Sequence, residues 1–181
     1  MSIPKIACFL AGVFLVTASV AAQAPAQRGA ASQARLEKEV RHMLVTLPFY
    51  SVFDNLSYKV DGDHVTLLGQ VVTPTLKSDA AKAVKSIEGV AAVDNRLEVL
   101  PPSPSDDQIR RAEFRAIYSA PGMEKYSIQA VPPIHIIVKG GHVTLVGVVA
   151  NQMDKILAET RAKSVPGTFA VMDELRVENQ G

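Results

Sequence analysis

The sequence predicts an α+β fold built from two αββαβ modules, each a three-stranded mixed sheet with two helices on one face. Two observations carry this expectation. The first is a repeat: His64-Val65-Thr66-Leu67-Leu68-Gly69-Gln70-Val71-Val72 returns 78 positions later as His142-Val143-Thr144-Leu145-Val146-Gly147-Val148-Val149-Ala150. The shared register runs from Leu56, Tyr58 and Val60 (Ile134, Ile136 and Val138) to Gly89, Val93, Leu97 and Val99 (Gly167, Val171, Leu175 and Val177). A unit this long is a small domain, because solenoid turns repeat every ~20–50 residues. The second observation is that apolar residues in each copy switch between strand-like alternation and helical spacing.

The N-terminal 22 residues read as a secretory signal. Lys5 supplies a positive start, Ile6 to Val20 an apolar run, and Val20-Ala21-Ala22 small residues before a cut after Ala22. The expected location is therefore the periplasm; a retained, uncleaved anchor is the alternative, although the run is short against the ~20 residues that a spanning helix needs. Cys8, the single cysteine, opens that run instead of following it, so a lipid anchor is not expected. The mature chain would hold no disulfide, thiolate nucleophile or thiolate metal site.

Residues 23–34 are small and polar and read as a flexible leader. Residues 35–100 form the first module. Leu36, Val40, Met43 and Leu44 give one amphipathic helix that stops before Pro48. The loop 48–55 carries Phe49, Tyr50 and Phe53, expected to fold over the open end of the first core. Residues 56–72 form a hairpin about Asp61-Gly62-Asp63. Leu76, Ala80, Ala83, Val84 and Ile87 make the next helix, with Gly89 as its left-handed end, and Val93, Leu97 and Val99 the last strand. A Pro-rich linker, 101–105, follows.

The second module, residues 106–179, repeats the order: helix 107–118 opened by a Ser105/Gln108 capping box, strands 134–138 and 142–150, helix 152–165 and strand 169–177. Its loop Ser119–Pro133, with Tyr126 between Pro121-Gly122 and Pro132-Pro133, is longer than its counterpart and is a candidate partner-binding element. Domains this small gain from mutual support. Leu68, Val146 and Val148, on the open sheet faces, would serve sheet-against-sheet contact or be scattered surface apolars.

Charge excludes one class of partner. Residues 35–100 carry 8 basic and 9 acidic groups and residues 106–179 carry 9 of each, so neither module has the basic excess that nucleic acid binding requires.

The run Val60-Asp61-Gly62-Asp63-His64-Val65-Thr66-Leu67-Leu68-Gly69-Gln70-Val71, an alanine-rich helix, Glu88-Gly89-Val90 and Asn95-Arg96-Leu97-Glu98-Val99 resemble the BON domain (bacterial OsmY and nodulation). Val138 to Val148, Val165-Pro166-Gly167 and Glu174-Leu175-Arg176-Val177 show the same signature, so the resemblance covers nearly all the mature chain. Leu68 and Val146 stand where the family often has a small polar residue, and Thr168 replaces the usual valine. The resemblance implies a non-enzymatic, secreted envelope module with no cofactor. It would serve envelope stress tolerance and phospholipid binding, or protein interaction in transport-associated machinery. Gly69 and Gly147 carry over as structural glycines.

Candidate chemistry is sparse. His64 and His142 are equivalent and would be metal ligands or pH sensors across the modules, or exposed hairpin-edge residues. His42 and His135 are isolated. Asp61 and Asp63 flank a turn glycine, and Lys139 and Gly141 take their places in the second copy; Asp79 has no base or nucleophile beside it, so no enzyme activity or metal site is expected. The helix 109–118 says more. With Ile109, Ala112, Ala116 and Ile117 against the sheet, Arg110, Arg111, Phe114, Arg115 and Tyr118 turn outward, an aromatic–guanidinium face suited to an anionic bilayer. Alternatively, Phe114 and Tyr118 pack on the other module or the long loop. The sequence thus supports docking on anionic phospholipid surfaces or envelope proteins; a protein adaptor without lipid affinity, or a small-ion or solute sensor, are the rivals. Oligomeric state is left open.

Overall fold

The computed structural model describes residues 24–178, with side chains from Ser32 onward, so the expected signal and its cut at Ala22 lie outside the described residues. The first module runs α1 (Ala24–Val45), β1 (Asn55–Asp61), β2 (His64–Val71), α2 (Pro74–Lys85), β3 (Ala92–Asn95) and β4 (Glu98–Val99). The second runs α3 (Pro104–Tyr118), a 3-10 turn (Glu124–Ser127), β5 (Ile134–Lys139), β6 (His142–Val149), α4 (Gln152–Lys163) and β7 (Ala170–Val177). The expected α+β architecture of two αββαβ modules is present. Among the described residues no helix is long and apolar enough to cross a membrane.

Each sheet is centred on its second strand. β2 pairs antiparallel with β1, Asn55 opposite Gln70 and Asp61 opposite His64, and parallel with β3 and β4. β6 pairs antiparallel with β5 and parallel with β7, Val143 opposite Val171 and Leu145 opposite Asp173. The parallel pairs need a crossover, which α2 and α4 supply. The repeat holds at the level of single side chains. Val65, Leu67 and Val71 are 1, 1 and 0% exposed, and Val143, Leu145 and Val149 are 1, 0 and 1%. β3 and β4 are one strand interrupted at Arg96–Leu97, where the Leu97 amide donates to Asn95 Oδ1 at 3.2 Å. In β7 the Leu175 amide donates to Asp173 Oδ1 at 2.8 Å and its carbonyl accepts from Lys155 Nζ at 2.5 Å. In each of these parallel edge strands a side chain two residues back thus satisfies one backbone amide, which makes that point of the edge less open to another strand.

Three boundaries differ from expectation. The backbone is helical from Ala24, so the expected flexible leader belongs to α1. Alanine, glutamine and arginine are strong helix formers, and extending a helix that Leu36, Val40 and Leu44 already anchor is easier than starting one. α3 opens at Pro104, not at 107. Its cap is Ser103, whose Oγ accepts from the Asp106 amide at 3.2 Å, and proline suits the first helical position because its missing N–H has no partner there. α4 stops at Lys163 with Ser164 as its cap.

The modules join through the loop 47–54 and a Lys139–Glu98 ion pair, not through the outer sheet faces. Leu68 and Val148 are 40 and 39% exposed, so neither lies in a sheet-against-sheet contact. Within the loop Tyr50 packs on the first core, whereas Val52 is a member of the second and Phe53 packs on it. Phe49, in a left-handed conformation at φ 67°, is exposed. Of the three rings expected over the first core, Tyr50 packs there, Phe53 crosses to the second core and Phe49 covers neither. The Val52 carbonyl accepts from the Ile136 amide at 2.8 Å, which pairs the free side of β5. Tyr50 stacks on His135 with ring centroids 5.6 Å apart, and Lys139 reaches Glu98 at 2.5 Å. Burial pushes the Tyr50 phenol up to about 12 and holds the His135 imidazole below its ordinary value. Asp54 fixes the loop from behind: Oδ2 accepts from the Ser51 amide and hydroxyl at 3.0 and 2.7 Å, and Oδ1 from the Val72 amide at 2.7 Å.

Candidate docking surface on the third helix

α3 is rotated relative to the sequence expectation. Ile109 and Ile117 face the core as foreseen, but Ala112 and Ala116 are only half-buried, and Asp106, Arg110, Glu113 and Tyr118 are buried. Four polar groups go inside because Asp106 and Tyr118 find full partners, both terminal nitrogens of Arg110 are bonded, and the alanines have little area to hide. Asp106 accepts from the Gly140 and Gly141 amides at 2.8 and 2.9 Å, clamping the helix start to the β5–β6 turn. Arg110 donates to the Val138 carbonyl at 2.7 Å and pairs with Asp107 at 2.5 Å. The Tyr118 hydroxyl donates to the Ile134 carbonyl at 2.6 Å, and burial pushes its pKa up. Phe114 lies between Tyr118 and Phe53 of the first module, 4.8 and 6.4 Å between centroids. Arg110, Phe114 and Tyr118 are thus withdrawn from the surface expected to hold them, and Phe114 takes the alternative of packing on the other module.

Arg111 and Arg115 stay exposed, one helical turn apart. With Ser105, Gln108, Ile109 and Ala112 they form one wall of a groove of about 450 Å3, and Pro166-Gly167 form the other. No carboxylate lines it. Two guanidiniums that have no ion pair among the described residues, in a groove lined by no acid, suit an anion with several acceptor oxygens. The turn that closes the groove continues into Phe169, which is 79% exposed and tilted over His142 at 6.1 Å. Phe169, not Phe114 or Tyr118, is the exposed ring that follows the far wall in sequence. Its sequence signal was the comparison of the two copies: Phe169 stands where the first has Ala91.

Glu113 is the anomaly of the helix. The core positions Leu36, Val40 and Leu44 of α1 correspond in spacing and burial to Ile109, Glu113 and Ile117 of α3, so a carboxylate replaces a valine that is 0% exposed. Oε1 accepts from Thr168 Oγ1 at 2.9 Å and Oε2 has no partner. Burial raises its pKa to about 7, partly opposed by the Thr168 bond. A carboxyl raised from its unfolded value of 4.5 leaves the fold most stable below that pH, and stability falls as pH rises toward about 7. The shift corresponds to roughly 3 kcal/mol. Glu113→Leu should flatten this dependence, raising the urea midpoint and, with it, the unfolding free energy at pH 8 by about 2 kcal/mol while changing both little at pH 5. Equal midpoint changes at both values would show that ionisation is not the cause.

The histidine pair is not assembled into a site. His64 Nδ1 meets Asp63 at 2.7 Å and His142 Nδ1 meets the Gly140 carbonyl at 3.1 Å, each within its own turn. Among the described residues no group of three or more potential ligands could hold a metal. Asp79 lies 3.5 Å from Lys82. The long loop is pinned by Tyr126, whose hydroxyl donates to Asp154 at 2.6 Å and accepts from the Ala150 amide at 2.8 Å.

Fold and surface together define a duplicated α+β module with an open, basic groove on one helix. A family model for the BON domain matches residues 30–101 and 122–179, and the chain belongs to that family. The chain is 30% identical over 132 residues to the osmotically-inducible protein Y of Escherichia coli (strain K12), covering 68% of this chain and 62% of that protein's length. Among solved structures, CdsD, a structural protein of the type III secretion system of Chlamydia trachomatis, matches at 12% identity over 81% of this chain and 95% of that one, TM-score 0.32. Its C-terminal domain matches at 13% identity over 80% of this chain, TM-score 0.31.

Proposed function

We propose that this protein is a non-catalytic periplasmic module of envelope maintenance under osmotic stress, and that its second module docks on anionic phospholipid surfaces. The observation that carries the reading is the groove wall of Arg111 and Arg115, exposed and without ion pairs among the described residues, and an exposed Phe169 two residues beyond Gly167 of the opposite wall supports it. Guanidiniums meet headgroup phosphates while an aromatic ring enters the interface, the division of labour expected of a surface-bound protein. The BON family membership and the similarity to an osmotically induced protein support the stress and envelope part of the reading.

Flotation with vesicles tests it. Phosphatidylglycerol vesicles should capture the protein and phosphatidylcholine vesicles should not, with capture falling as salt rises. Arg111→Glu with Arg115→Glu should reduce anionic capture by about tenfold or more, at roughly 1 kcal/mol per basic residue removed and a further repulsion. Undiminished capture by that variant would remove the groove from the account. Leu68, Val148 and Met172, the last 60% exposed, keep a protein-adaptor reading alongside, through the outer sheet faces. That reading expects no capture by either lipid.

A further inference from the structure

We infer that Glu113 is a proton-operated latch behind the Arg111–Arg115 groove, holding the far wall closed when neutral and releasing it when ionised. The inference rests on the docking reading and concerns regulation of that same surface. The far wall is the turn that follows α4. Its Thr168 amide donates to the Val165 carbonyl at 3.3 Å, and Gly167 packs over Ile109, whose side chain an added Cβ would meet at 3.5 Å, an ordinary van der Waals contact. From below, the Thr168 hydroxyl donates to Glu113 Oε1 at 2.9 Å. The first module fills the same core position with Val40, so the fold itself does not require a carboxyl there.

Protonated, the side chain is uncharged and sits among apolar neighbours at modest cost. Losing the proton to solvent leaves a carboxylate whose second oxygen has no donor. The Thr168 bond by itself strengthens on ionisation, so what opens the site is the bare Oε2, whose relief is entry of water behind the turn or separation of α3 from it. The Glu113 pKa of about 7 places both states near neutrality. Charged groups on the surrounding elements are committed elsewhere. On α3, Asp106 is held by two glycine amides, and Arg110 by Val138 and Asp107, with only its Nε unpartnered. β5 turns Ile134, Ile136 and Val138 inward, Lys139 pairs with Glu98, and His135 lies on the opposite face against Tyr50. α4 buries Ala158 and Ala162; its Asp154 is held by Lys125, Lys155 by Asp173, and Glu159 by Lys163, while Arg161 is exposed. Glu124 in the 3-10 turn accepts from the Gly122 amide. Ionisation also sets a negative charge behind the two guanidiniums, so anion affinity should weaken as pH rises.

The test has a protein-only arm and a lipid arm. Titrating the 15N-labelled protein from about pH 5.5 to 8.5 around the Glu113 value should move the Gly167 and Thr168 amides with a midpoint near 7, leaving Gly89 of the first module still. The movement should vanish in Glu113→Gln, and Thr168→Val should uncouple Gly167 from it. Amides that stay flat, or that titrate unchanged in Glu113→Gln, overturn the latch. Phosphatidylglycerol vesicles, whose diester does not titrate in this range, should bind about three- to tenfold better at pH 6 than at pH 8, with no such difference in Glu113→Gln. Equal capture at both values overturns the latch and leaves docking intact. Titrating amides without capture at either pH overturn docking and leave the latch standing.

Discussion

Gly147→Ala should unfold the second sheet under conditions where the wild-type protein is stable, with a loss of roughly 4 kcal/mol. Gly147 sits mid-strand in β6 at φ 144°, opposite Ile134, and a Cβ there would collide with the Pro133 carbonyl oxygen. The obstacle is backbone, so no side-chain rotation relieves it; the antiparallel pair must separate. Val143, Leu145 and Val149 on the same strand are nearly sealed, so separation opens the core. Gly69 meets the Asn55 carbonyl in the same way, at φ 115°. Thermal unfolding followed by circular dichroism should show a midpoint lowered on the order of 15 °C. A change within a few degrees would mean that the strand slips without cost, contrary to the geometry.

Asp54→Ala should cost about 3 kcal/mol and act at a distance. The carboxylate accepts three hydrogen bonds while 2% exposed, and two of its donors are backbone amides left unpaired by the change. The consequence reaches the other module, because the loop that Asp54 fixes delivers Val52 to the second core and Phe53 to Phe114. Hydrogen exchange should therefore rise at Ile136, whose amide donates to the Val52 carbonyl, as well as at Val72. Faster exchange at Val72 with Ile136 unchanged would show that the modules are joined by something other than this loop.

The modules were legible because their core positions repeat: Val65, Leu67 and Val71 return as Val143, Leu145 and Val149, equally buried. Periodicity located α3 but not its rotation. The buried Arg110, Glu113 and Tyr118 look like surface residues until their partners, the carbonyls of Val138 and Ile134 and the hydroxyl of Thr168, come near through the tertiary fold. Asp54 and Val52 were obscure for a related reason. A loop acid and a loop valine carry no periodic signal, and their roles depend on β5 of the other module. Arg111 and Arg115 were found because exposure was their expectation and no acid claimed them. The histidine pair illustrates the converse: identical positions in two copies need not meet.

A residue-resolved footprint on a lipid surface tests the central claim most directly. Amide signals of the 15N-labelled protein would be compared with and without phosphatidylglycerol nanodiscs, at the pH of strongest binding. The account predicts broadening confined to Arg111, Arg115, Gly167 and Phe169 and their neighbours, with the first module spared. Broadening centred on Leu68, Val148 and Met172 would contradict it.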